Sequence, residues 1–339
     1  MVWSYDSIQS RDEKMKISII VPVHNGEETI EECLSALINQ DYQKEKYEIV
    51  VVDDASTDRT SGIVGYVREK GKRIGISCRY VRNQRREGRL LARINGAKEA
   101  THSLLLFVDS RCIANADLLK NIKKIGYQPI VGNPIVAFDD SISRFSWLVR
   151  RRLYHPYFGK RFEPIYIERK NFEKIGKGTG IFLCNRELFL QSQPDLMGDS
   201  VSDDTKLLWN LVQKRKILKH PDVKVTYLPR HSLRETITHT FQRGPKFVDY
   251  YLGLRKERFW MFIFTPLLLS ILTVSLLLIN FTYFLFWLSL LMFILVSTSI
   301  WLSENARDFF IVIALLPIVG FAFEMGILKG LTVKMLKVM

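Results

Sequence analysis

Acidic and amide side chains follow three apolar runs in the first third of the chain. Asn25 follows the run that ends at Val23, Asp53 and Asp54 close the second run, and Asp109 closes the third. Because the carboxyl ends of parallel strands meet at one edge of a sheet, where ligands bind, we expect these side chains to share a site. Their oxygens can accept hydrogen bonds from a ligand or bind a hard divalent cation. Asp and Asn also favour turns, and only their recurrence at three strand ends points to a site.

A second group of polar residues lies farther along the chain. Asp203 and Asp204 open a helical run, which places two acids at a helix N-terminus, with helix capping as the alternative. Gly178-Thr179-Gly180 offers bare backbone that a ligand can approach closely, with an ordinary turn as the alternative. The basic stretch Arg82–Arg89, followed by Arg93, either contacts phosphate or forms a solvated surface.

Alternating strand and helix patterns position these residues. Four apolar runs are predicted strands: Lys16–Val23, Tyr47–Val52, Ile76–Val81 and Ser103–Val108. Apolar residues at helical spacing lie between them, in Ile30–Leu37, Thr60–Lys70 and Arg85–Ala100. Most of the strand runs are apolar throughout instead of alternating, so both of their faces must be covered. The pattern predicts an α/β fold of the Rossmann-like kind, with a mostly parallel sheet flanked by helices.

Charge separates a basic body from an apolar tail. The chain has 339 residues, with 49 Lys and Arg against 35 Asp and Glu, a net charge of +14. Its overall proportions exclude a disordered or fibrous chain. No charged residue occurs from Trp260 to Leu302. That length suffices for two spanning helices of about 20 residues each, with the turn at Asn280–Thr282. A third apolar segment, Phe309–Leu328, contains Pro317, Gly320 and Glu324.

Basic residues indicate which side of the membrane the body occupies. Three of them between positions 255 and 258 precede the first apolar segment, which favours the cytoplasm. The N-terminal residues contain no apolar core of a signal peptide, so we expect the body to stay cytoplasmic. Three full spans would place Lys329, Lys334 and Lys337 on the opposite side, against the same rule. Two explanations stay open: a third segment that is re-entrant or interfacial, and an exception to the rule.

Several of these motifs, taken together, resemble family 2 glycosyltransferases with the GT-A fold. The resemblance rests on Ile-Ile-Val-Pro22-Val-His-Asn25, Val-Val-Val-Asp53-Asp54-Ala-Ser56, Ala92-Arg93-Ile-Asn95-Gly96 and Phe107-Val-Asp109. Gly178-Thr179-Gly180 and Ser202-Asp203-Asp204-Thr205 are similar to the family's glycine-rich and acidic acceptor-side motifs. The motifs follow the family's order over residues 16–245.

The resemblance implies sugar transfer from a nucleotide-activated donor, UDP- or GDP-linked, with inversion at the anomeric carbon. It places the nucleotide base and ribose at Pro22, Asn25, Asp53 and Asp54. Asp53 would accept a hydrogen bond from the base, and Asp54 would orient the loop. Glu27 is a further donor-site candidate, with an ordinary helix-start acid as the alternative.

The remaining site residues follow from the same resemblance. Asp204 matches the general base that takes the acceptor's proton, and Asp203 matches the supporting acid. The nucleotide-sugar contacts would be completed by Arg82, Arg93, Asp109, Arg111, Gly178, Thr179, Gly180, Gln242 and Arg243. Gln242 and Arg243 match a Gln-x-x-Arg-Trp motif only in part. Because the Trp is missing, a processive polymerase is disfavoured.

The metal motif departs from the family pattern. Family members usually carry Asp-x-Asp, whose second acid binds Mg²⁺ or Mn²⁺ on the donor diphosphate, whereas this chain has Asp109-Ser110-Arg111. Arg111 offers no ligand to a cation, but its guanidinium pairs well with phosphate. Three alternatives follow: Arg111 replaces part of the metal's charge, Asp109 holds a metal with help from His231, or Arg111 points to solvent. We expect weak or absent metal dependence.

Aromatic and basic residues interleave in Ser141–Tyr157 and in Phe247–Trp260, a pattern typical of helices at a lipid headgroup surface. We therefore expect a lipid-linked saccharide or similar membrane-presented acceptor. Nucleic acid is disfavoured because the acids at the strand ends repel phosphate. The predicted organisation is an N-terminal extension (1–15), a GT-A catalytic domain (16–230), interfacial or linker helices (231–259) and a membrane region of two or three helices (260–339).

Two alternatives to this enzyme are kept. One is a synthase that makes a polyprenyl-phosphate monosaccharide. The other, from a different class of protein, is a non-catalytic membrane scaffold that binds a nucleotide-sugar. Only the Asp109-Ser110-Arg111 departure supports the scaffold.

Overall fold

The computed structural model describes residues 15–126, 128–138, 140–159, 162–195, 202–253 and 260–336. The chain forms two compact units, and each is described separately. The first contains Met1–Ala137, Tyr154–Gly198 and Asp203–Leu228; the second contains Phe138–Leu153, Asp199–Ser202 and Pro229–Met339. The predicted N-terminal extension lies, except for Met15, outside the described residues. The division into extension, catalytic, linker and membrane segments stays a prediction.

A mixed sheet forms the centre of the first unit. Its nine strands, within the described ranges, are β1 Ile17–Val23, β2 Tyr47–Asp53, β3 Ser77–Arg82, β4 Leu104–Val108, β5 Cys112–Ala114, β6 Ile130–Val136, β7 Ile165–Ile167, β8 Ile181–Asn185 and β9 Ile217–Tyr227. Their order across the sheet is β3-β2-β1-β4-β8-β6-β9-β5, with β7 paired to β9.

The first four strands form the parallel half of the sheet. β1 pairs in parallel with β2 and β4, and β2 pairs in parallel with β3. These are the four predicted strands, found within one residue of their expected bounds. β1 and β2 are buried along their whole length, as expected for strands covered on both faces.

The second half of the sheet is mixed. β8 runs antiparallel to β4 and β6, while β9 runs antiparallel to β5 and β7 but parallel to β6. The α/β class with flanking helices is confirmed, and the parallel pairing is concentrated in the first four strands. Val108 of β4 pairs with Ile181 of β8, so the Gly178-Thr179-Gly180 segment enters the sheet beside the end of β4.

Helices flank this sheet. In the first unit they are α1 Ile30–Ile38, α2 Thr60–Arg73, α3 Arg89–Glu99, α4 Leu118–Ile125, α6 Arg186–Leu190 and α7 Asp203–Lys214, while α5 Ser141–Leu153 belongs to the second unit. α3 begins at Arg89 instead of Arg85, because the backbone N–H groups of Glu87 and Gly88 donate to the Asp54 carboxylate. Gly88 has a φ of 94°, which glycine adopts without strain.

The second unit is helical in its described part. After α5 it contains α8 Leu233–Gly253, α9 Trp260–Ile279, α10 Phe281–Leu302 and α11 Ala306–Leu336. Asn280 caps α10 by accepting from the Tyr283 N–H at 3.1 Å, which places the turn where the sequence predicted it. α10 and α11 are long and apolar enough to cross a membrane, and Ile263–Ile279 is a shorter apolar helix.

The helix α5 packs against the start of α11. Phe145 and Leu148 share a buried cluster with Leu302, Ile311 and Val312. Beside this cluster the Arg144 guanidinium pairs with the buried Asp308 at 2.8 Å and with Glu304 at 2.6 Å. The interleaved aromatic and basic residues of α5 therefore cover the junction between α10 and α11.

Candidate functional site

Hydrogen bonds join the loops that follow β1 and β2. Asn25 has a φ of 48°, a left-handed conformation that Asn tolerates better than most residues. Its N–H donates to Ser56 Oγ at 2.9 Å, and its Oδ1 accepts from the Thr57 N–H at 2.8 Å. Pro22 is buried in β1 opposite Val52. The two loops therefore form one rim, with Asn25 exposed on it.

Glu27 is held by the same pair of loops. Its Oε2 accepts from Arg59 Nε at 3.0 Å, and its own N–H donates to Asp58 Oδ2 at 3.0 Å. The Arg59 hydrogen bonds keep the pKa of Glu27 below its usual value. The ion pair with Arg59 therefore accounts for the position of the Glu27 side chain without a bound ligand.

Asp53 is fully buried at the end of β2. Its Oδ1 accepts from the Ser56 N–H at 2.8 Å, and its Oδ2 accepts from Tyr80 Oη at 2.5 Å and Arg82 Nη1 at 3.2 Å. Arg82 is about half exposed, so it is the member of this ion pair that presents to solvent. Tyr80 and Arg82 reach the same carboxylate because alternate residues of a strand share a face.

Asp54 organises the loop before α3. Its Oδ1 accepts from Asn83 Nδ2 and from the Glu87 N–H, and its Oδ2 accepts from the Gly88 N–H, each at 2.8 Å. The side chain is buried, and its two oxygens accept these three hydrogen bonds from the chain itself. Asp54 thereby determines that α3 begins at Arg89.

Asp109 follows β4 at the neighbouring strand end. Its N–H donates to the Gly180 carbonyl at 2.8 Å, which ties the glycine-rich segment to this turn. Its Oδ2 lies 3.5 Å from Arg89 Nη1. Arg111 is half-buried, and its carbonyl accepts from the Leu228 N–H at 2.8 Å, so its backbone is fixed beside the end of β9.

Asp204 lies in the first turn of α7 and meets two arginines. Its Oδ1 is 2.5 Å from Arg93 Nη1, and its Oδ2 is 3.9 Å from Arg89 Nη2. Arg93 is 1% exposed, whereas the Asp204 side chain is 25% exposed. The neighbouring Asp203 accepts the Asp204 N–H at 2.8 Å, a contact typical of a helix start.

Arg89 and Arg93 join the strand-end acid to the helix-start acid. They lie four residues apart on α3 and therefore on one helix face. Arg89 bridges Asp109 and Asp204, while Arg93 also donates to the Thr179 carbonyl at 3.3 Å. The charges of Asp204 and then Asp109 raise the pKa of Arg89, so its guanidinium stays protonated.

The two halves of this arrangement lie at one edge of the sheet. The parallel register places the ends of β1, β2 and β4 together, and a Cβ added at Gly26 would lie 3.9 Å from Ser110 Oγ. The Asn25 loop therefore approaches the Asp109 turn. The contacts form two groups, one around Asn25 and Asp53 and one around Asp109 and Asp204, which approach each other at Gly26 and Ser110.

Two buried polar atoms in this arrangement have no hydrogen-bond partner within the described residues. They are Arg93 Nε and Thr179 Oγ1. Since buried polar groups are normally hydrogen-bonded, these atoms are candidates for bonds to a ligand or water. Arg93 pairs with Asp204 and donates to the Thr179 carbonyl, so both residues belong to the part of the site that was predicted to face the acceptor.

A buried lysine supports the glycine-rich segment from behind. Lys219 of β9 is 3% exposed, and its Nζ donates to the Gly176 carbonyl at 2.5 Å. Burial lowers the pKa of Lys219 from its ordinary 10.5 to about 8. This side chain was not singled out from the sequence, because a single Lys in a strand gives no signal of burial.

Lys219 is expected to contribute a rise in stability at alkaline pH. Between pH 8 and 10.5 only the unfolded chain binds this proton, so the lysine adds on the order of 2–3 kcal/mol to the unfolding free energy as the pH increases. Below pH 8 both states are charged and the burial penalty is fully present. The buried thiols act in the opposite direction above about pH 9, because burial raises the pKa values of Cys33, Cys112 and Cys184. The Lys219 contribution is therefore measured as the difference between the wild-type chain and Lys219→Met in urea titrations at pH 7.5 and 10. The difference between the wild-type chain and Lys224→Met, on the same strand, should not change with pH.

Three predicted site residues lie in the second unit. His231 Nδ1 is 2.6 Å from Asp140 Oδ2. The pKa of Asp140 is lowered first by the hydrogen bond from the Ser143 N–H and then by the one from His231. Gln242 and Arg243 lie in the middle of α8. Their predicted roles toward a ligand stay predictions.

The acids of this site do not supply the ligands that a divalent cation needs. Mg²⁺ and Mn²⁺ prefer several oxygen ligands around one point. In the described ranges no three His, Cys, Asp or Glu side chains converge as metal ligands. The two acids that approach each other, Asp109 and Asp204, have the Arg89 guanidinium between them. The residues present therefore do not fit a cation held by the chain itself.

Arg89 is the site residue that sequence reasoning passed over. It was grouped with the basic residues from Arg82 onward, at the start of a predicted helix, as solvated surface or phosphate contact. Its spacing of four residues from Arg93 was the available signal, since it predicts one shared helix face. Tyr80, two residues before Arg82 on β3, was missed in the same way.

The sheet has a parallel half and carries acids and guanidinium groups at its carboxyl edge, as in an α/β fold of the GT-A kind. Glycosyl transferase family 2 matches residues 18–190, which is half of the chain. The chain therefore belongs to that family. This confirms the resemblance drawn from the motifs and the fold class that it implied.

Relatives differ in how much of their length the chain covers. A poly(ribitol-phosphate) beta-glucosyltransferase of Bacillus spizizenii is 42% identical over 96 residues, 28% of this chain and 15% of that protein. The poly(ribitol-phosphate) beta-N-acetylglucosaminyltransferase TarS of Staphylococcus aureus is 40% identical over 32% of this chain and 18% of its own length. The chain thus spans less than a fifth of these two relatives.

Two other proteins are similar along almost the whole chain. The dolichyl N-acetyl-alpha-D-glucosaminyl phosphate 3-beta-D-2,3-diacetamido-2,3-dideoxy-beta-D-glucuronosyltransferase of Methanococcus voltae is 26% identical over 93% of this chain and 98% of its own. The mannosyltransferase PcManGT of Pyrobaculum calidifontis, solved with GDP-Man and Mn²⁺, aligns with a TM-score of 0.61 at 18% identity, covering 93% and 87% of the two chains. The latter likeness shows the shared fold.

Proposed function

We propose that this enzyme is a membrane-bound, inverting glycosyltransferase that moves a sugar from a nucleotide-sugar to a lipid-linked saccharide or similar membrane-presented acceptor. The observation that carries the proposal is the Asp109–Arg89–Asp204–Arg93 network. It joins the strand end expected to face the donor diphosphate to the acid expected to face the acceptor.

The nucleotide would bind on the rim formed by the loops after β1 and β2. Asn25 is exposed there, and Arg82 covers the buried Asp53 carboxylate. Because Asp53 already accepts three hydrogen bonds, a base that contacts it must first displace Arg82 or use its remaining lone pair. Pro22 would support this rim from within the strand.

Arginine side chains would supply the positive charge that the departing diphosphate needs. Arg89 is about half exposed and faces the turn that carries Asp109 and Arg111. A guanidinium presents paired N–H donors to phosphate oxygens, and fixed donors at a leaving group stabilise the charge that develops there. Arg89 and Arg111 would share this task.

Asp204 would act as the general base. As the acceptor oxygen attacks the anomeric carbon, its proton passes to the Asp204 carboxylate, and the bond from that carbon to the diphosphate oxygen breaks with its electron pair. Arg93 would hold Asp204 ionised and fixed in direction. Attack opposite the leaving group inverts the anomeric configuration.

The acceptor is proposed from the membrane segments and from one relative. α9 and α10 are apolar over their whole length, and the Methanococcus relative is named for a dolichyl-linked sugar phosphate. We place the catalytic unit on the cytoplasmic side of a chain that crosses the membrane more than once, because basic residues precede the first apolar helix.

The proposal is tested by turnover in lipid nanodiscs. The purified chain is given a panel of UDP- and GDP-sugars with either a lipid-linked saccharide or polyprenyl phosphate, and nucleotide release and product mass are monitored. We expect product from one donor class on the hydroxyl acceptor, with inverted configuration by NMR. Product from polyprenyl phosphate alone would favour the synthase, and donor binding without product across the panel would favour the scaffold.

Metal dependence is read from the same assay. PcManGT was solved with Mn²⁺, so the assay is run with added Mn²⁺ and with a chelator. We expect turnover to persist in a chelator, since Arg89 lies between the two acids. Loss of turnover that added Mn²⁺ restores would contradict this expectation and place a cation at Asp109.

A further inference from the structure

We propose that α11, the third apolar helix, lies along the membrane surface across the open end of the α9–α10 hairpin and does not cross the bilayer. This goes beyond the proposed function, because it concerns a lipid-facing surface and is independent of which reaction the enzyme performs. All the residues involved belong to the second unit.

α9 and α10 form an antiparallel hairpin. Asn280 lies between them, and Trp287 Nε1 of α10 donates to Thr273 Oγ1 of α9 at 2.8 Å. These two residues are equally far from Asn280 in sequence, so the helices run back alongside each other. The start of α9 and the end of α10 therefore lie at the same end of the hairpin, and Asn280 lies at the other.

Both halves of α11 contact that open end. Near its beginning, Ile311 and Val312 pack against Leu302, the last residue of α10. In its second half, Ile327 shares a buried cluster with Ile263 near the start of α9 and with Val248 of α8. Three residues before Ile327, Glu324 Oε1 accepts at 2.6 Å from the hydroxyl of Ser270, in the middle of α9, so α11 crosses α9 over the stretch from Ile263 to Ser270.

These contacts exclude a helix that descends beside the hairpin. Val312 and Ile327 are separated by about 22 Å along an α-helix, at about 1.5 Å per residue. If α11 ran toward the far side of the membrane from Leu302, Ile327 would lie about 22 Å deeper, level with Trp287 and Thr273. It instead shares a cluster with Ile263, which is ten residues closer than Thr273 to the open end. α11 must run across that end.

The polar helix α8 packs along the second half of α11. A Cβ at Gly326 would meet the Phe241 carbonyl, and one at Gly330 would lie 2.7 Å from Pro245 Cα, so the two backbones are in contact. α8 carries Arg243, Lys246 and Asp249 in this stretch. Each such charge costs about 2.5–3.5 kcal/mol at the centre of a bilayer, which keeps α8, and with it α11, out of the hydrocarbon core.

An exposed apolar stripe remains on α11. Phe310, Phe321, Leu328 and Met335 are 67%, 62%, 41% and 69% exposed, and their spacings of eleven and seven residues place them on one face. The stripe is continuous with the exposed apolar surface of α9 and α10, which is expected to face lipid. Lipid acyl chains near the headgroups are the occupant we assign to it.

This placement removes a conflict noted in the sequence. With α11 on the surface, Lys329 and Lys334 stay on the same side as the basic residues before α9, as the positive-inside rule requires. The arginines of α5, which cover the start of α11, lie at the same headgroup level. α9 and α10 are then the two membrane-spanning helices among those described.

Depth measurements on spin labels test the proposal. Single cysteines replace Ala314, Phe321 and Leu328 on α11 in full-length protein with its four native cysteines changed to serine. The matched series on α10 is Phe286, Phe293 and Ile300, which has the same spacing and is also exposed. After reconstitution, oxygen and nickel-chelate accessibilities give the depth of each label.

We expect the α10 series to be deepest at Phe293 and shallower at both ends, whereas the α11 series shows one shallow depth at all three positions. An α11 series that is deepest at Phe321 would overturn the proposal. Low oxygen accessibility at constant depth would also overturn it, because a second copy of the chain would then cover the stripe.

Sidedness gives an independent readout. An impermeant maleimide should label Lys334→Cys from the same face of sealed vesicles as Lys72→Cys in the catalytic unit. Thr282→Cys, at the hairpin turn, should be labelled from the opposite face. Labelling of Lys334→Cys from the Thr282 side would show that α11 crosses the membrane.

Discussion

Asp204→Asn is expected to lower kcat by about 10²–10⁴-fold on a hydroxyl acceptor while changing the affinity for the nucleotide-sugar by less than about threefold. The amide keeps the size of the side chain and one oxygen for Arg93, but it cannot take up the acceptor's proton. Arg93 and Arg89 now face a neutral group, so the positive charge available to the diphosphate does not fall. Single-turnover rates and donor titrations separate the two effects.

Asp203→Asn is the matched control for this variant. Asp203 is the adjacent acid in the same helix turn, and its Oδ1 accepts the Asp204 N–H. An amide oxygen can accept the same bond, so we expect a loss of less than about tenfold. Equal losses in the two variants would contradict the assignment of Asp204 as the base. A polyprenyl-phosphate acceptor, already anionic, should be much less sensitive to Asp204→Asn.

Arg93→Met is expected to destabilise the first unit by about 3 kcal/mol and to abolish turnover. The Arg93 side chain is 1% exposed and pairs with Asp204 at 2.5 Å, so its removal leaves a partly buried carboxylate without its nearest counter-charge. It also removes a donor to the Thr179 carbonyl. Urea denaturation in detergent, followed by tryptophan fluorescence, measures the change.

A double-mutant cycle isolates the ion pair from the general loss of packing. Adding Asp204→Asn to Arg93→Met should recover at least about 1 kcal/mol, because the unpaired charge is then gone. Arg89→Met is the matched control on the same helix face. Since Arg89 is 53% exposed, it should change stability by less than about 1 kcal/mol while weakening donor binding. Additive effects in the cycle would contradict a coupled Arg93–Asp204 pair.

The parallel half of the sheet was predictable because each of its strands carries its own signal. β1, β2 and β4 are short apolar runs. Apolar and polar residues do not alternate along them, which indicates that both faces of each strand are buried. Polar groups at their ends then had to meet at one edge, and Asn25, Asp53 and Asp109 do lie there. The family motifs added the order of the elements and the acid at the start of α7.

The mixed half of the sheet and the arginine network could not be predicted in the same way. β8 pairs with β4 and β6, far apart in sequence, and such pairing leaves no local pattern. Arg89 was one of several basic residues at the start of the predicted helix, and composition alone does not say which of them is exposed and which is paired. Its pairing with Asp109 and Asp204 depends on β4 and α7, which are far from α3 in sequence.

The third apolar helix shows the limit of composition. By length and hydropathy, α10 and α11 cannot be distinguished, because both are long and apolar enough to cross a membrane. Their difference lies in tertiary contacts: α10 pairs with α9 in a hairpin, whereas α11 packs against the charged helix α8. Hydropathy averages cannot report which neighbours a helix has.

Density for a bound nucleoside diphosphate tests the central claim most directly. Crystals or cryo-EM grids of the full chain with UDP or GDP are expected to show the base on the rim beside Asn25 and Arg82. The diphosphate is expected within hydrogen-bond distance of the Arg89 guanidinium, and Asp204 is expected to face the terminal phosphate, where the sugar would be attached. A nucleotide bound away from the ends of β1, β2 and β4, with the Asp109–Arg89–Asp204 bridge undisturbed, would contradict the assignment of this edge as the catalytic site.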